Sequence, residues 1–214
     1  MPLRGKALYV PGIGIDIEEI FALPREKDKY CAELDIPKNA HIYISVGELI
    51  HRKDHITAIN AFTNARLDNA YYIICGIGEL KETLQAHIEK LGMEEKIRLL
   101  GYRNDVKSLM KASDVFLFPS LQEGLPVALM EAMACGLPCI VSKIRGNVDL
   151  ISDSVGGYLF DVHDEIKLCD LIKKMDRSFE NCEMGETNMT VIKKYDIKCV
   201  RNIMRQEYKQ LMEG

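Results

Sequence analysis

Two glutamates eight positions apart, Glu123 and Glu131, bracket EGLPVALME, a segment in which a glycine and a proline lead into an apolar run. Pro126 suits the first turn of a helix, because its fixed φ is helical and its missing N–H would have no partner there. Such a helix start presents unpaired backbone N–H groups and a positive dipole end, a ready seat for a phosphate or diphosphate. Gly124, which has no Cβ, lets the backbone come close to a ligand. A carboxylate at Glu131, nearly two turns into the helix, can accept from vicinal hydroxyls such as those of a ribose. Glu123, at the helix mouth, would repel a phosphate but can hold a sugar hydroxyl beside it. The plain alternative is a pair of solvated helix glutamates. Against it, Glu131 is flanked by Met130, Ala132 and Met133, and a carboxylate buried without a partner costs several kcal/mol.

The surrounding elements alternate. Val115–Phe118 is a strand-length apolar run ended by Pro119, the helix from Pro126 to Cys135 stops at Gly136, and Pro138–Val141 opens the next strand. Upstream, residues 7–16 (ALYVPGIGID) read as a short strand ending in a Pro/Gly turn, and 17–40 as a connecting segment with one helical turn. His41–Val46 is the first full strand and ends at Gly47; a helix over Ile56–Arg66, a strand over Ala70–Cys75 and a helix over Leu80–Leu91 follow. Ile97–Leu100 is a third strand, leading to a helix that runs through Met110. Gly156–Phe160 is the sixth, and helices over Glu165–Ser178 and Thr190–Met212 finish the chain.

Strands alternating with helices at this spacing predict a parallel, doubly wound six-stranded sheet in the order 3-2-1-4-5-6. The ligand crevice then lies beyond the carboxyl ends of the first and fourth strands, where that order reverses. The loops at those ends are GELIHRKDH, from Gly47, and PSLQEGLP, from Pro119. Topology alone therefore carries Lys53 towards the Glu123–Glu131 unit, where its ammonium can neutralise a phosphate oxygen.

Composition excludes several other classes. Hydrophobic residues make up 47% and charged residues 28%, enough for a full buried core, and the formal net charge of −4 offers no footprint for nucleic acid. The longest apolar runs are strand-length, too short to span a bilayer, and Met1-Pro-Leu-Arg-Gly-Lys has no apolar stretch behind it that would make a signal peptide. The seven cysteines are odd in number and contain no C-x-x-C pair. They read as small buried hydrophobes in a reducing, cytoplasmic setting, with no metal site.

EGLPVALME matches the E-x7-E motif of retaining glycosyltransferases with the GT-B fold, the family-four type that makes capsular and cell-envelope polysaccharides. SDVFLFPSLQEGLPVALMEAMACGLPCIVS, SVGELIHRKDHITAINAF, ICGIGELKETL and IRLLGYRNDV are similar to that family almost throughout, and the resemblance spans roughly residues 8–212. It implies that the sheet is Rossmann-like and forms the C-terminal, donor-binding half of a GT-B fold. Glu131 would then hold the ribose of a nucleotide sugar, with UDP-sugars the expected donors. Glu123 would lie by the donor sugar, with Gly124, Leu125 and Pro126 lining the diphosphate. Lys53 would match the phosphate-binding lysine, on a wall that begins at Gly47, and Tyr102-Arg103 the edge of the base pocket. No cofactor or metal is implied, and the absence of Asp-x-Asp speaks against the metal-chelated diphosphate of the GT-A kind.

Two departures from the family stand out. Where many members place an arginine beside the first-strand glycine, this chain has Glu48, with Arg52 as the candidate substitute. The family also has two Rossmann-like domains. Here residues 1–16 resemble the hinge and first short strand, 17–214 the donor domain, and the N-terminal acceptor domain is expected to be absent. The last helix, DIKCVRNIMRQEYKQLM, resembles the one that returns to brace that domain. The chain thus reads as a fragment or as half of a split enzyme, inactive alone. In the complete enzyme it would transfer a hexose or N-acetylhexosamine to a glycan or lipid-linked acceptor, in the cytoplasm or at the inner face of the membrane. The alternative is a non-catalytic module that binds nucleotide or a partner. An NAD-type Rossmann oxidoreductase would need G-x-G-x-x-G after the first strand, where this chain has GELIHR.

Overall fold

The computed structural model describes residues 12–177 and 181–213. Six strands form one parallel sheet: β1 (His41–Val46), β2 (Ala70–Cys75), β3 (Ile97–Gly101), β4 (Val115–Phe118), β5 (Cys139–Ser142) and β6 (Gly157–Phe160), in the order β3-β2-β1-β4-β5-β6. This is the predicted order. The reversal falls between β1 and β4, paired through Tyr43↔Val115 and Ile44↔Phe116.

Each strand is apolar on both faces, as a sheet covered on both sides requires. Ile42, Ile44, Phe116, Phe118 and Val141 point to one layer, which contains α1 (Ile17–Ala22), α2 (Lys27–Glu33), α5 (Val106–Ala112) and α6 (Val127–Ala134). Tyr43, Tyr72, Ile74, Leu117 and Ile140 point to the other, covered by α3 (His55–Ala65), α4 (Lys81–Lys90) and α7 (Glu165–Arg177). Helix α8 (Asn181–Val191), a 3-10 turn over Ile192–Tyr195 and α9 (Ile197–Glu213) close the chain.

Three expectations need correction. The segment 17–40 carries two helices, α1 and α2, rather than one turn. Asp16 caps α1 by accepting from the Glu19 N–H at 3.0 Å, a signal that the charged composition of the segment masked. The segment is tied to the sheet through Asp114, which takes Arg25 at 2.8 Å, Lys27 at 2.6 Å and the Ile42 N–H at 2.8 Å. The final helix does not begin at Thr190. Thr190 lies in α8, and α9 starts afresh after Asp196, whose carboxylate accepts from the Lys198 N–H at 2.7 Å. Pro126 is the N-cap of α6, one position before the helix rather than its first residue. The strand expected over 7–16 falls largely outside the described residues; within them, Ile15 bridges to Asp196.

Candidate functional site

The crest loop after β1 is shaped by its neighbour after β2. The Leu49 N–H donates to Ile77 O at 2.9 Å and the Leu80 N–H to Leu49 O at 2.9 Å. A Cβ at Gly78 would stand 2.4 Å from Leu49 O, and one at Gly76 1.8 Å from Gly47 O, so the two crest loops touch backbone to backbone only because both positions are glycine. The sequence places these glycines between the second strand and the next helix. Their role as a gauge for the neighbouring loop depends on strand pairing, which no local pattern displays.

From this base a 3-10 turn over His51–Lys53 lifts Lys53 across to the loop after β4. Lys53 Nζ lies 2.7 Å from Glu123 Oε1, with only 12% and 8% of the two side chains exposed. The lysine stem passes over Gly47, where a Cβ would meet Lys53 Cδ and Cε at 3.3 Å, and the ammonium sits 4.9 Å from the Phe118 ring centroid. Arg52 reaches the same loop: its Nη1 donates to Gln122 O at 3.1 Å and stands 3.8 Å from Glu123 Oε2. The loops are also joined by the Leu121 N–H to Arg52 O at 2.8 Å. Glu48 is exposed.

The start of α6 follows directly. Pro126 caps it in an extended conformation, and among the described residues no side chain accepts from its first turn. Its leading N–H groups are therefore left for a ligand or solvent. A Cβ at Gly124 would meet nothing within 4 Å, so its open side faces away from the protein. The other side is closed by Gly146, whose Cβ would meet Gly124 O at 2.4 Å and whose φ of +91° suits glycine. Behind it Asn147 Nδ2 donates to Ser142 O at 2.9 Å, and Ser142 Oγ to Ser120 O, fixing the loops after β4 and β5 to each other. The RGN turn that does this carried no sequence signal beyond its glycine.

Glu131 is half-buried on α6, and its carboxylate takes no hydrogen bond among the described residues. Burial pushes that carboxyl above the usual range; Lys107 pulls it back and Glu19 pushes it further up. Lys107 is itself paired with Glu19 at 2.8 Å. Tyr102 is exposed, whereas Arg103 is fully engaged. Arg103 Nε and Nη2 fork onto Asp105 at 2.8 and 2.7 Å, and Nη1 reaches Glu33 at 2.7 Å. Those bonds raise its pKa still further above its ordinary value and hold the Asp105 carboxyl below its own. The structure thus brings Lys53, Arg52, Gly47 and Glu123–Pro126 into one wall, leaves Glu131 open further along α6, and places Tyr102-Arg103 at the end of β3. Among the described residues, no group of three His, Cys, Asp or Glu side chains is placed to hold a metal.

Residues 26–186 match the family described as glycosyl transferases group 1. The chain belongs to this family. Its fold is accordingly the Rossmann-like half-unit of a GT-B glycosyltransferase. A group 1 relative, the UDP-Gal:alpha-D-GlcNAc-diphosphoundecaprenol alpha-1,3-galactosyltransferase of Escherichia coli, is 34% identical over 156 residues, covering 71% of this chain and 40% of the relative. The amylovoran biosynthesis glycosyltransferase AmsK of Erwinia amylovora is 33% identical over 144 residues, 63% of this chain and 35% of its own length. Among solved structures, Anabaena HepE in complex with UDP and glucose superposes with a TM-score of 0.84 at 21% identity, over 92% of this chain and 55% of that one. WaaG, a glycosyltransferase involved in lipopolysaccharide biosynthesis, gives 0.75 at 24% identity, over 89% and 53%. At these identities the two structures speak for the fold. This group 1 chain spans 40% or less of the length of both curated relatives.

Proposed function

We propose that this chain is the donor-binding domain of a retaining glycosyltransferase in cell-surface polysaccharide synthesis. It would take a UDP-hexose or UDP-N-acetylhexosamine and pass the sugar to a glycan or lipid-linked acceptor held by a second, N-terminal domain. The observation that carries this reading is the meeting of Lys53 and Glu123 at the uncapped start of α6. A cation, free N–H donors and a carboxylate converge there. Names of relatives that use UDP-sugars and undecaprenyl-linked acceptors support the substrate class.

In this reading the diphosphate lies over Gly124, Leu125 and Pro126 at the α6 N-terminus, with Lys53 and Arg52 answering its charge. Glu131 accepts from the ribose hydroxyls, and Glu123 holds a hydroxyl of the donor sugar. Tyr102 lies exposed at the base edge, and Arg103, locked by two carboxylates, gives that edge a fixed plane. As the bond between the anomeric carbon and the β-phosphate oxygen breaks, charge builds on the departing UDP, and Lys53 with the helix N-terminus stabilises it. The acceptor hydroxyl attacks from the same face and gives its proton to that β-phosphate oxygen. Glu123, on the phosphate side, is badly placed to be a nucleophile on the opposite face. No metal or cofactor is required. The complete enzyme would work in the cytoplasm, at the inner face of the membrane when its acceptor is a lipid.

Calorimetric titration with UDP, beside Glu131→Ala, tests the site. A hydrogen bond to a charged group is worth about 1.5–3 kcal/mol, so the variant should bind about 10- to 150-fold more weakly. Equal binding would overturn the ribose assignment, and no binding by the wild type would overturn the nucleotide reading. The chain alone should transfer no sugar to an added acceptor; transfer would show that the acceptor site lies within it.

A further inference from the structure

The turn that carries Lys53 ends at Asp54, which holds the left-handed conformation with φ 47° and ψ 40°. Five non-glycine residues have positive φ among the described residues, and two of them touch: Asp54 and His163. His163, at φ 63°, lies in the loop between β6 and α7, with 64% of its side chain exposed. Its Nδ1 is 2.9 Å from Asp54 Oδ2, which also accepts from Thr57 Oγ1 at 2.8 Å. Left-handed backbone is sparsely used by any residue with a Cβ, although aspartate and histidine visit it more than most. Two such residues held against each other, next to a ligand-facing lysine, are over-determined by their surroundings.

Asp54 is also the N-cap residue of α3, and its carboxylate makes no hydrogen bond of good geometry to the helix backbone. An aspartate there ordinarily accepts from the N–H two or three residues on. Here the carboxylate is 6% exposed and directed to His163 and the Thr57 hydroxyl. Burial pushes its carboxyl upward, while Thr57 and His163 pull it back. The preceding backbone bonds, Lys53 N–H to Ile50 O at 3.0 Å and Asp54 N–H to His51 O at 3.1 Å, make the Lys53 turn a rigid unit hinged at Asp54. A rotation at that hinge would swing Lys53 Nζ away from the start of α6.

We propose that Asp54 and His163 are positioning residues for Lys53: their contact locks the hinge at the end of its turn and so holds the ammonium against Glu123 at the diphosphate seat. The inference deepens the nucleotide reading above and rests on it for the ligand. The lock itself can be observed without ligand. A glycine at position 54 would adopt the same backbone but many others as well; the aspartate, tied to His163, keeps one arrangement ready before the ligand arrives.

The test has two arms, with His163→Ala and His163→Asn as variants and thermal melts to confirm folding. Asparagine tolerates left-handed backbone and retains a donor for Asp54. In the first arm the ligand-free proteins react with an amine-directed acylating reagent, and peptide mass spectrometry follows Lys53. His163→Ala should speed its acylation several-fold, and His163→Asn should return it towards wild type. In the second arm UDP is titrated. His163→Ala should weaken binding about tenfold, by analogy with the outer partners of metal ligands. It should change nothing further when Lys53 is already Met. Unchanged acylation, or the same loss of affinity with and without Lys53, would overturn the lock. Faster acylation in a protein whose wild type binds no UDP would overturn the nucleotide reading and leave the lock standing.

Discussion

The Lys53–Glu123 pair makes opposite demands on two substitutions. Both side chains are nearly buried, 2.7 Å apart, and the nearest further cation is Arg52 at 3.8 Å from Glu123, 45% exposed. Lys53→Met leaves the Glu123 carboxylate desolvated with only that partial replacement. Removing one member of a buried pair costs about 3–5 kcal/mol, and the neighbouring arginine argues for about 3. Adding Glu123→Gln removes the stranded charge, so the double variant should recover all but about 1 kcal/mol. Ligand binding separates the two residues. A phosphate competes with Glu123 for the Lys53 ammonium, and in Lys53→Met the diphosphate keeps only Arg52 of its two cations. UDP affinity should then fall about 10- to 150-fold. Glu123→Gln frees the lysine beforehand, and UDP should bind as well as to wild type or up to about tenfold more tightly, about 1.4 kcal/mol. Urea denaturation gives the stabilities and calorimetry at fixed ionic strength the affinities. If Glu123→Gln weakens UDP binding as much as Lys53→Met does, the pair is not a cation held in reserve for phosphate and the reasoning fails.

Two further outcomes follow from the geometry. His55 is buried in the first turn of α3, and burial lowers its pKa from 6.5 to about 4. The folded protein therefore refuses a proton that the unfolded chain accepts below 6.5, so its contribution is present above that value and is lost as pH falls towards 4. At about 1.36 kcal/mol per pH unit, the interval amounts to about 3 kcal/mol; urea titrations across it should show a slope that His55→Leu removes, and an unchanged slope would place His55 in contact with water. Gly78→Ala would set a Cβ 2.4 Å from Leu49 O, a backbone atom, so the crest loop itself must move. Overpacking of this kind costs about 1–3 kcal/mol, and UDP affinity should fall with it; unchanged affinity would mean that the β2 loop does not set the height of Lys53.

The sheet order was legible because it follows from rules of chain connection: six apolar runs at βαβ spacing leave few topologies, and hydrophobic period and breakers marked each run. The wall of the site was legible for the same reason, since the crests after β1 and β4 must meet wherever the order reverses. The segment 17–40 was not, because its helices are short and owe their place to Asp114 and the core rather than to a strong pattern of their own. The break between α8 and α9 was likewise hidden: Thr190–Met212 reads as one helical run, and the backbone bridge from Ile15 to Asp196, with the Asp196 cap, explains why the chain restarts there.

Residue types by themselves determined that this chain holds a helix start, two carboxylates flanking it and a lysine on the facing loop, because those are properties of spacing and local chemistry. Tertiary structure alone decided that Lys53 rests on Glu123 rather than standing free, that Arg103 is spent on Asp105 and Glu33, and that Asp54 finds His163 from the far end of the sheet. Apart from the local fork of Arg103 onto Asp105, each is a pairing across tens of residues, set by which elements lie side by side. Charge and burial then select the partner, and burial does not exist until the sheet has formed.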